Sequence, residues 1–164
     1  MIRKAKLKDI ESIMKIIGSV VAEMKIYGNT QWDENYPQGI DFQNDIESGS
    51  LYVEEEDGRL CGFVCANFIE PEEYADIQWG AEEKCMILHR MSVDPQCRNK
   101  GLASKLIKFI EDTAVKNGVK YIRTDTYSIN KKMNSLLKKL GYIHRGNMKF
   151  LGKEKEFYCY DKLL

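Results

Sequence analysis

Residues 94–107 read DPQCRNKGLASKLI, and the reading of this stretch decides the fold. Before it lies CMILHRMSV (residues 85–93), an apolar run that reads as a strand stopped by Pro95. After Gly101, the residues Leu102, Ala103, Leu106, Ile107, Ile110 and Ala114 recur at helical spacing. That pattern stops at Gly118, where a left-handed C-cap residue belongs. A strand that turns into a helix aims successive backbone N–H groups at one spot, and the helix dipole favours an anion there. Gly101 permits close backbone approach, Ala103 keeps the first turn thin and Ser104 can donate a hydroxyl hydrogen bond. Arg98 and Lys100 add positive charge at the rim. The natural occupant of such a turn is a pyrophosphate. The spacing is neither a Walker loop nor GxGxxG.

Downstream, VKYIRTDTY (119–127) reads as a strand, and NKKMNSLLKKLG (130–141) as a helix with Met133, Leu136, Leu137 and Leu140 facing inward. YIHRGNMKF (142–150) and KEFYCYDKLL (155–164) read as a closing antiparallel pair. Upstream, IRKA (2–5) is a short strand. KDIESIMKIIGSVVAEMK (8–25) is a helix with Asp9 as candidate N-cap. YGNTQWDENYPQG (27–39) is loop chemistry, and DFQNDIESG (41–49) a short helix closed by Gly49. SLYVEEE and RLCGFVCANF flank Asp57-Gly58, a strong hairpin signal. IEPEEYADIQWGAEEK (69–84) is an acidic connection holding two aromatics. This order predicts an α/β sandwich on a mixed sheet, in one domain over residues 1–164.

Lys+Arg and Asp+Glu number 25 each, so net charge gives no case for nucleic-acid binding. The charge is unevenly spread. Residues 98–155 hold fifteen Lys/Arg and four Asp/Glu, which leaves ten basic and twenty-one acidic residues elsewhere. Two regions of opposite sign suit a ligand with an anionic end and a cationic co-reactant. The five cysteines form no CxxC pair and no ligand cluster, which points to a reducing, cytoplasmic setting and to no metal. No apolar run approaches the roughly 20 residues that span a bilayer, so no membrane association is expected.

The segment LHRMSVDPQCRNKGLASKLI (88–107) resembles the central motif of the GNAT superfamily of acyl-CoA-dependent N-acyltransferases. There, a strand ending V-x-P leads to R/Q-x-x-G-x-G/A. Here the match is Val93-Asp94-Pro95, then Arg98-Asn99-Lys100-Gly101-Leu102-Ala103. The family's N-x-x-A-x-x-L-Y-x-x-x-G-F is matched downstream by Asn130, Leu136, Gly141 and Tyr142. The resemblance implies a mostly antiparallel twisted sheet of about seven strands with helices on both faces, split between the fourth and fifth strands. It implies acetyl-CoA as co-substrate. Its pantetheine arm would lie along Met91, Ser92 and Val93, its pyrophosphate on the amides of Arg98, Asn99, Lys100, Gly101, Leu102, Ala103 and Ser104, and Asn130 would reach the pantetheine region. The expected activity is transfer of acetyl to the primary amine of a small molecule, amino acid or peptide.

The resemblance breaks where the family's commonest general acid, a tyrosine, is replaced by Leu137. Tyr127 is the first substitute, with a packing role as its alternative. For the base, His89 on the fourth strand and Glu83 just before it are the candidates. Trp32 and Tyr36 lie where the family builds its acceptor pocket, and aromatic walls with the carboxylates of residues 70–83 suit a small cationic amine. Trp32 can equally anchor its loop to the core. Two other readings remain: a non-catalytic acyl-CoA sensor, supported by Leu137, and a protein-modifying enzyme. The closing strand is one that can pair across a homodimer.

Overall fold

Breaks in the sequence pattern become element ends in the computed structural model, which describes residues 1–164. The strands are β1 (Ile2–Lys4), β2 (Leu51–Glu56), β3 (Arg59–Asn67), β4 (Met86–Val93), β5 (Tyr121–Tyr127), β6 (Ile143–Met148) and β7 (Phe157–Leu163). The helices are α1 (Ile10–Ile26), α2 (Gly39–Glu47), α3 (Leu102–Lys116) and α4 (Lys131–Lys139). Hydrogen-bonded neighbours run β1-β2-β3-β4-β5-β7-β6 in one seven-stranded sheet. The β1–β2, β2–β3, β5–β7 and β6–β7 pairs are antiparallel, and β4–β5 is parallel. The expected mixed sheet with flanking helices is therefore present. The chain forms two compact units: Met1–Ala66 with Arg90–Phe109, and Asn67–His89 with Ile110–Leu164.

In the first unit, Asp57 (φ 50) and Gly58 (φ 78) make the tight turn that sets the register of β2 against β3. Strand alternation then puts Leu51, Val53, Phe63 and Cys65 on one face. The helical stripe Ile13, Ile16, Ile17 and Val20 of α1 and Phe42 of α2 bury that face. At about 1.5–3 kcal/mol per fully buried aliphatic side chain, this cluster is the main apolar stabilisation of the unit. Tyr52 and Glu54 point the other way and meet α3, through Phe109 at 5.2 Å between ring centroids and through Lys105 at 2.6 Å. Helices thus cover both faces. Gly62 is required by close approach, because a Cβ there would sit 2.8 Å from the Ser92 carbonyl oxygen.

One expected cap is different. Asp9 has helical backbone angles and makes no side-chain cap of α1. Its carboxylate instead accepts the Lys6 amide at 2.7 Å and both Arg3 terminal nitrogens, closing the short 3-10 turn before the helix. The Arg3 guanidinium lowers the Asp9 pKa.

In the second unit, β5 pairs with β7 from Tyr121↔Leu163 to Tyr127↔Phe157. Asn134 fixes α4 to these strands: its amide donates to the carbonyls of Tyr127 and Asn130, and its Oδ1 accepts the Tyr160 hydroxyl at 2.6 Å. The acidic connection is packed down. Tyr74 is 1% exposed, in a cluster with Ile87, Tyr127, Phe157 and Cys159. Arg123 lies 4.6 Å from the Trp79 ring and donates to Glu70, while Gly80 N–H donates to Asp161. No helix is long and apolar enough to cross a membrane.

Candidate functional site

Strand β4 pairs with β5 only at Met86↔Ile122, Ile87↔Arg123 and Leu88↔Thr124. Beyond that, β4 continues to Val93 and β5 to Tyr127 with no further register between them. This is the expected split. Of the three β4 residues assigned to the pantetheine arm, Met91 is buried, and Ser92 and Val93 are half-buried.

The chain then bends. Asp94 Oδ1 accepts the Gln96 amide at 2.9 Å, its Oδ2 binds Arg59 at 2.6 Å, and its own amide donates to the Cys61 carbonyl of β3. A single 3-10 turn, Pro95–Cys97, follows. Two left-handed residues complete the bend, Asn99 at φ 65 and Gly101 at φ 72. These backbone values are why asparagine and glycine stand there, since other L-residues pay about 1–2 kcal/mol. The first helical acceptor of α3 is the Gly101 carbonyl, taken by the Lys105 amide at 3.0 Å. The amides of Leu102, Ala103 and Ser104 precede that bond and point out of the helix start. Apart from its chain neighbours, no atom lies within 4 Å of a Cβ built on Gly101, so the space on that side of the bend is open. The donors and the open space fit a diphosphate.

The rim charges have partners. Arg98 is paired with Glu23 of α1 at 2.5 Å, and Lys100 with Glu56 of β2 at 3.1 Å. Glu56 raises the Lys100 pKa. An anion entering the bend therefore meets backbone donors first, and reaches the side-chain cations only in competition with two carboxylates. Cys97 is buried beside Cys61 and Leu102. Burial, together with the Cys97 thiol, pushes Cys61 up to about 12, so it stays a neutral packing group.

The aromatic pair of the 27–39 loop has core and scaffold roles. Trp32 is 7% exposed and stacks on Phe63 at 6.5 Å with rings 14° apart, which anchors the loop to the core. Its ring offers no exposed wall. Tyr36 is half-buried, and its hydroxyl accepts Arg90 Nη1 at 2.8 Å. Arg90 is held from its other side by Asp45 at 2.6 Å. Burial opposes the Arg90 charge, but Asp45 and Tyr36 outweigh it and raise its pKa.

The catalytic candidates belong to the second unit. His89 is half-buried, with Nε2 2.7 Å from Asn67 Oδ1. Glu83 is exposed in the connection before β4. Tyr127 is fully buried, its ring 4.9 Å from Phe157, and its hydroxyl accepts the Lys155 amide at 3.0 Å. This is the packing alternative for Tyr127. Asn130 is the N-cap of α4, with Oδ1 accepting the Met133 amide at 3.2 Å. Leu137, at the position of the family tyrosine, is 1% exposed.

Sequence reasoning passed over Asp125. It follows the last β4–β5 pair by one residue, and its Oδ2 accepts the Tyr74 hydroxyl at 2.7 Å. Burial raises its carboxyl to about 6, against the Tyr74 hydrogen bond and with help from Glu73. The signal was present, since a carboxylate inside a strand reading YIRTDTY is unusual.

A family model described as the acetyltransferase (GNAT) family matches residues 21–142. An uncharacterized N-acetyltransferase, YhfO of Bacillus subtilis, is 25% identical over 150 residues, covering 86% of this chain and 88% of its own. The L-2,4-diaminobutyric acid acetyltransferase of Halalkalibacterium halodurans is 28% identical over 119 residues, covering 73% of this chain and 58% of its own. A crystal structure of a GNAT-family acetyltransferase from Streptococcus agalactiae superposes with a TM-score of 0.88 at 28% identity, covering 100% of this chain and 95% of that one.

Proposed function

The chain belongs to the acetyltransferase (GNAT) family and is an N-acetyltransferase; on that premise we propose that it moves acetyl from acetyl-CoA to a primary amine by direct attack in a ternary complex. Residues 1–164 act in this reading as one catalytic domain. The observation that carries it is the bend at Arg98–Gly101, where two left-handed residues precede the free amides of the α3 start and a Cβ built on Gly101 would meet no atom within 4 Å. The amides of Arg98, Asn99, Lys100, Gly101, Leu102 and Ala103, with the Ser104 hydroxyl, receive the diphosphate. Backbone groups of Met91, Ser92 and Val93 line the pantetheine arm.

The coenzyme supplies the activated acyl group as a thioester. The protein's own part is to hold the amine against it, which supplies much of the rate, and to take up its proton. A β4 amide near Met91 hydrogen-bonds the carbonyl oxygen as charge develops. His89, oriented by Asn67, is the base we favour over the exposed Glu83. Tyr127 enters as the acid only by giving up its bond to the Lys155 amide. The acceptor is a small cationic amine, a class that includes the diaminobutyrate named for the Halalkalibacterium relative. The reaction is placed in the cytoplasm, where the five unpaired cysteines stay reduced.

Release of free thiol from acetyl-CoA across a panel of amines tests the reading. Turnover on a diamine or amino acid supports it. The second reading, a non-catalytic acyl-CoA sensor, is favoured by Leu137 alone, and predicts coenzyme binding with no thiol release on any amine. Modification of a protein amine is separated from both by testing lysine-containing peptides in the same assay.

A further inference from the structure

Buried carboxylates in this protein come with a cation. The six that are buried are Asp9, Asp45, Glu54, Asp94, Glu111 and Asp161. They pair in turn with Arg3, Arg90, Lys105, Arg59, Lys162 and Arg145, each within 2.8 Å. The pattern has a simple cause. A carboxylate taken out of water costs several kcal/mol, and an adjacent positive charge offsets much of that cost.

Asp125 is half-buried and has no such cation. Its hydrogen-bond partner is the Tyr74 hydroxyl, a neutral donor. The groups around it do not supply a charge. Glu73, on the same connection as Tyr74, is negative and acts against ionisation. Cys159, opposite in the β5–β7 register, is a buried thiol pushed up to about 12. Arg123, two residues away on the same face of β5, is committed to Glu70 and the Ala81 carbonyl. The residue is nonetheless not sealed, and keeps part of its surface open. A poorly solvated carboxylate with one oxygen fixed by a tyrosine and the other without a protein partner is half of an ion pair.

We propose that Asp125, oriented by Tyr74, is the specificity-determining seat for the second, non-reacting ammonium group of a diamine acceptor, whose other nitrogen attacks as the neutral amine. The inference rests on the acetyltransferase reading and deepens it, by naming the residue that selects a cationic acceptor. Asp125 is the group that touches substrate, and Tyr74 is a positioning residue that keeps the carboxylate turned to receive it. Strand β5 suits the task, because its full-length pairing with β7 holds the carboxylate rigidly just past the end of the β4–β5 register.

The test uses the full chain with 1,4-diaminobutane as probe. Carbon-detected NMR follows the Asp125 carboxyl through its titration, and the diamine should move the midpoint down from about 6 by one unit or more. An unmoved midpoint at saturating diamine overturns the proposal, whether or not the enzyme turns over. In steady state, Asp125→Asn should raise the amine KM about tenfold to a hundredfold while calorimetric affinity for acetyl-CoA stays within about twofold. Tyr74→Phe, which keeps the charge, should give a smaller rise that a purely structural role would not confine to the amine. An unchanged amine KM in Asp125→Asn also overturns the proposal. Failure of the wild-type chain to bind acetyl-CoA sinks the acetyltransferase reading instead, and the titration midpoint still decides the cation seat.

Discussion

Replacing Gly101 by aspartate is the perturbation that separates a phosphate cradle from an ordinary helix start. The backbone there is left-handed at φ 72, so any L-residue is strained, by about 1–2 kcal/mol for most and less for aspartate or asparagine. A Cβ built on the residue meets no atom within 4 Å, so no clash adds to that strain. Stability should therefore fall by only about 1 kcal/mol, which lowers Tm by roughly 2–4 °C in a chain of this size. The effect on the ligand is far larger. A carboxylate about 4 Å from a phosphate charge repels it by about 4 kcal/mol at an effective dielectric of 20, and exposure of the bend cuts this to about 2 kcal/mol. Coenzyme affinity should thus drop about thirtyfold. Gly101→Asn, with the same backbone demand and no charge, should lose far less. The assay is calorimetric titration of both variants with coenzyme A, beside thermal melts. An aspartate variant that melts like the asparagine variant and binds coenzyme equally well would refute the cradle.

Four further outcomes are expected. Leu137→Tyr fills a fully buried site, so overpacking should cost about 1–3 kcal/mol in denaturant melts while the folded enzyme gains about tenfold or more in kcat; an unchanged kcat in a folded variant rejects a missing acid at this position. Asp45→Ala strands the Arg90 guanidinium in the first unit and should cost about 3–5 kcal/mol by urea titration, whereas a loss under about 1 kcal/mol means that Tyr36 alone suffices. Asp125 titrates at about 6 when folded and near 3.8 when unfolded, so it favours folding below that lower value, and the benefit is lost as pH rises through 6. Wild type should therefore lose about 3 kcal/mol relative to Asp125→Asn between acidic and neutral pH, read from paired melts. Cys61, Cys65 and Cys159 are buried with thiols pushed up to about 12, so iodoacetamide should label them in mass spectra only after unfolding.

The parts of the fold that were legible in the sequence are those fixed by neighbours along the chain. Asp57-Gly58 announces the β2–β3 hairpin, the stripe from Leu102 to Ala114 announces α3, and Gly101 marks a place where the backbone can come close to a ligand. The central motif of the site was legible for the same reason, since the bend and the helix start are contiguous. What stayed hidden depends on partners remote in sequence. The partners of the rim charges Arg98 and Lys100 were not visible because their carboxylates, Glu23 and Glu56, lie 75 and 44 residues away. Trp32 sits in a loop of Gly, Asn and Asp, and nothing local shows that Phe63 covers its ring. The run of acids from Glu70 to Glu83 reads as a solvated loop or a cationic subsite, yet Arg123 draws Glu70 and Trp79 into a packed cover. Asp125 escaped notice because its significance is a missing cation, and that shows only when the groups around its half-buried carboxylate are in place.

The central claim is that main-chain nitrogens between Arg98 and Ser104 grip the diphosphate of the coenzyme. Amide-detected NMR during titration with acetyl-CoA reads those nitrogens one at a time. The account predicts that the Asn99 to Ser104 signals shift furthest of any in the chain and saturate together. Saturation of the protein with those signals unmoved would contradict it.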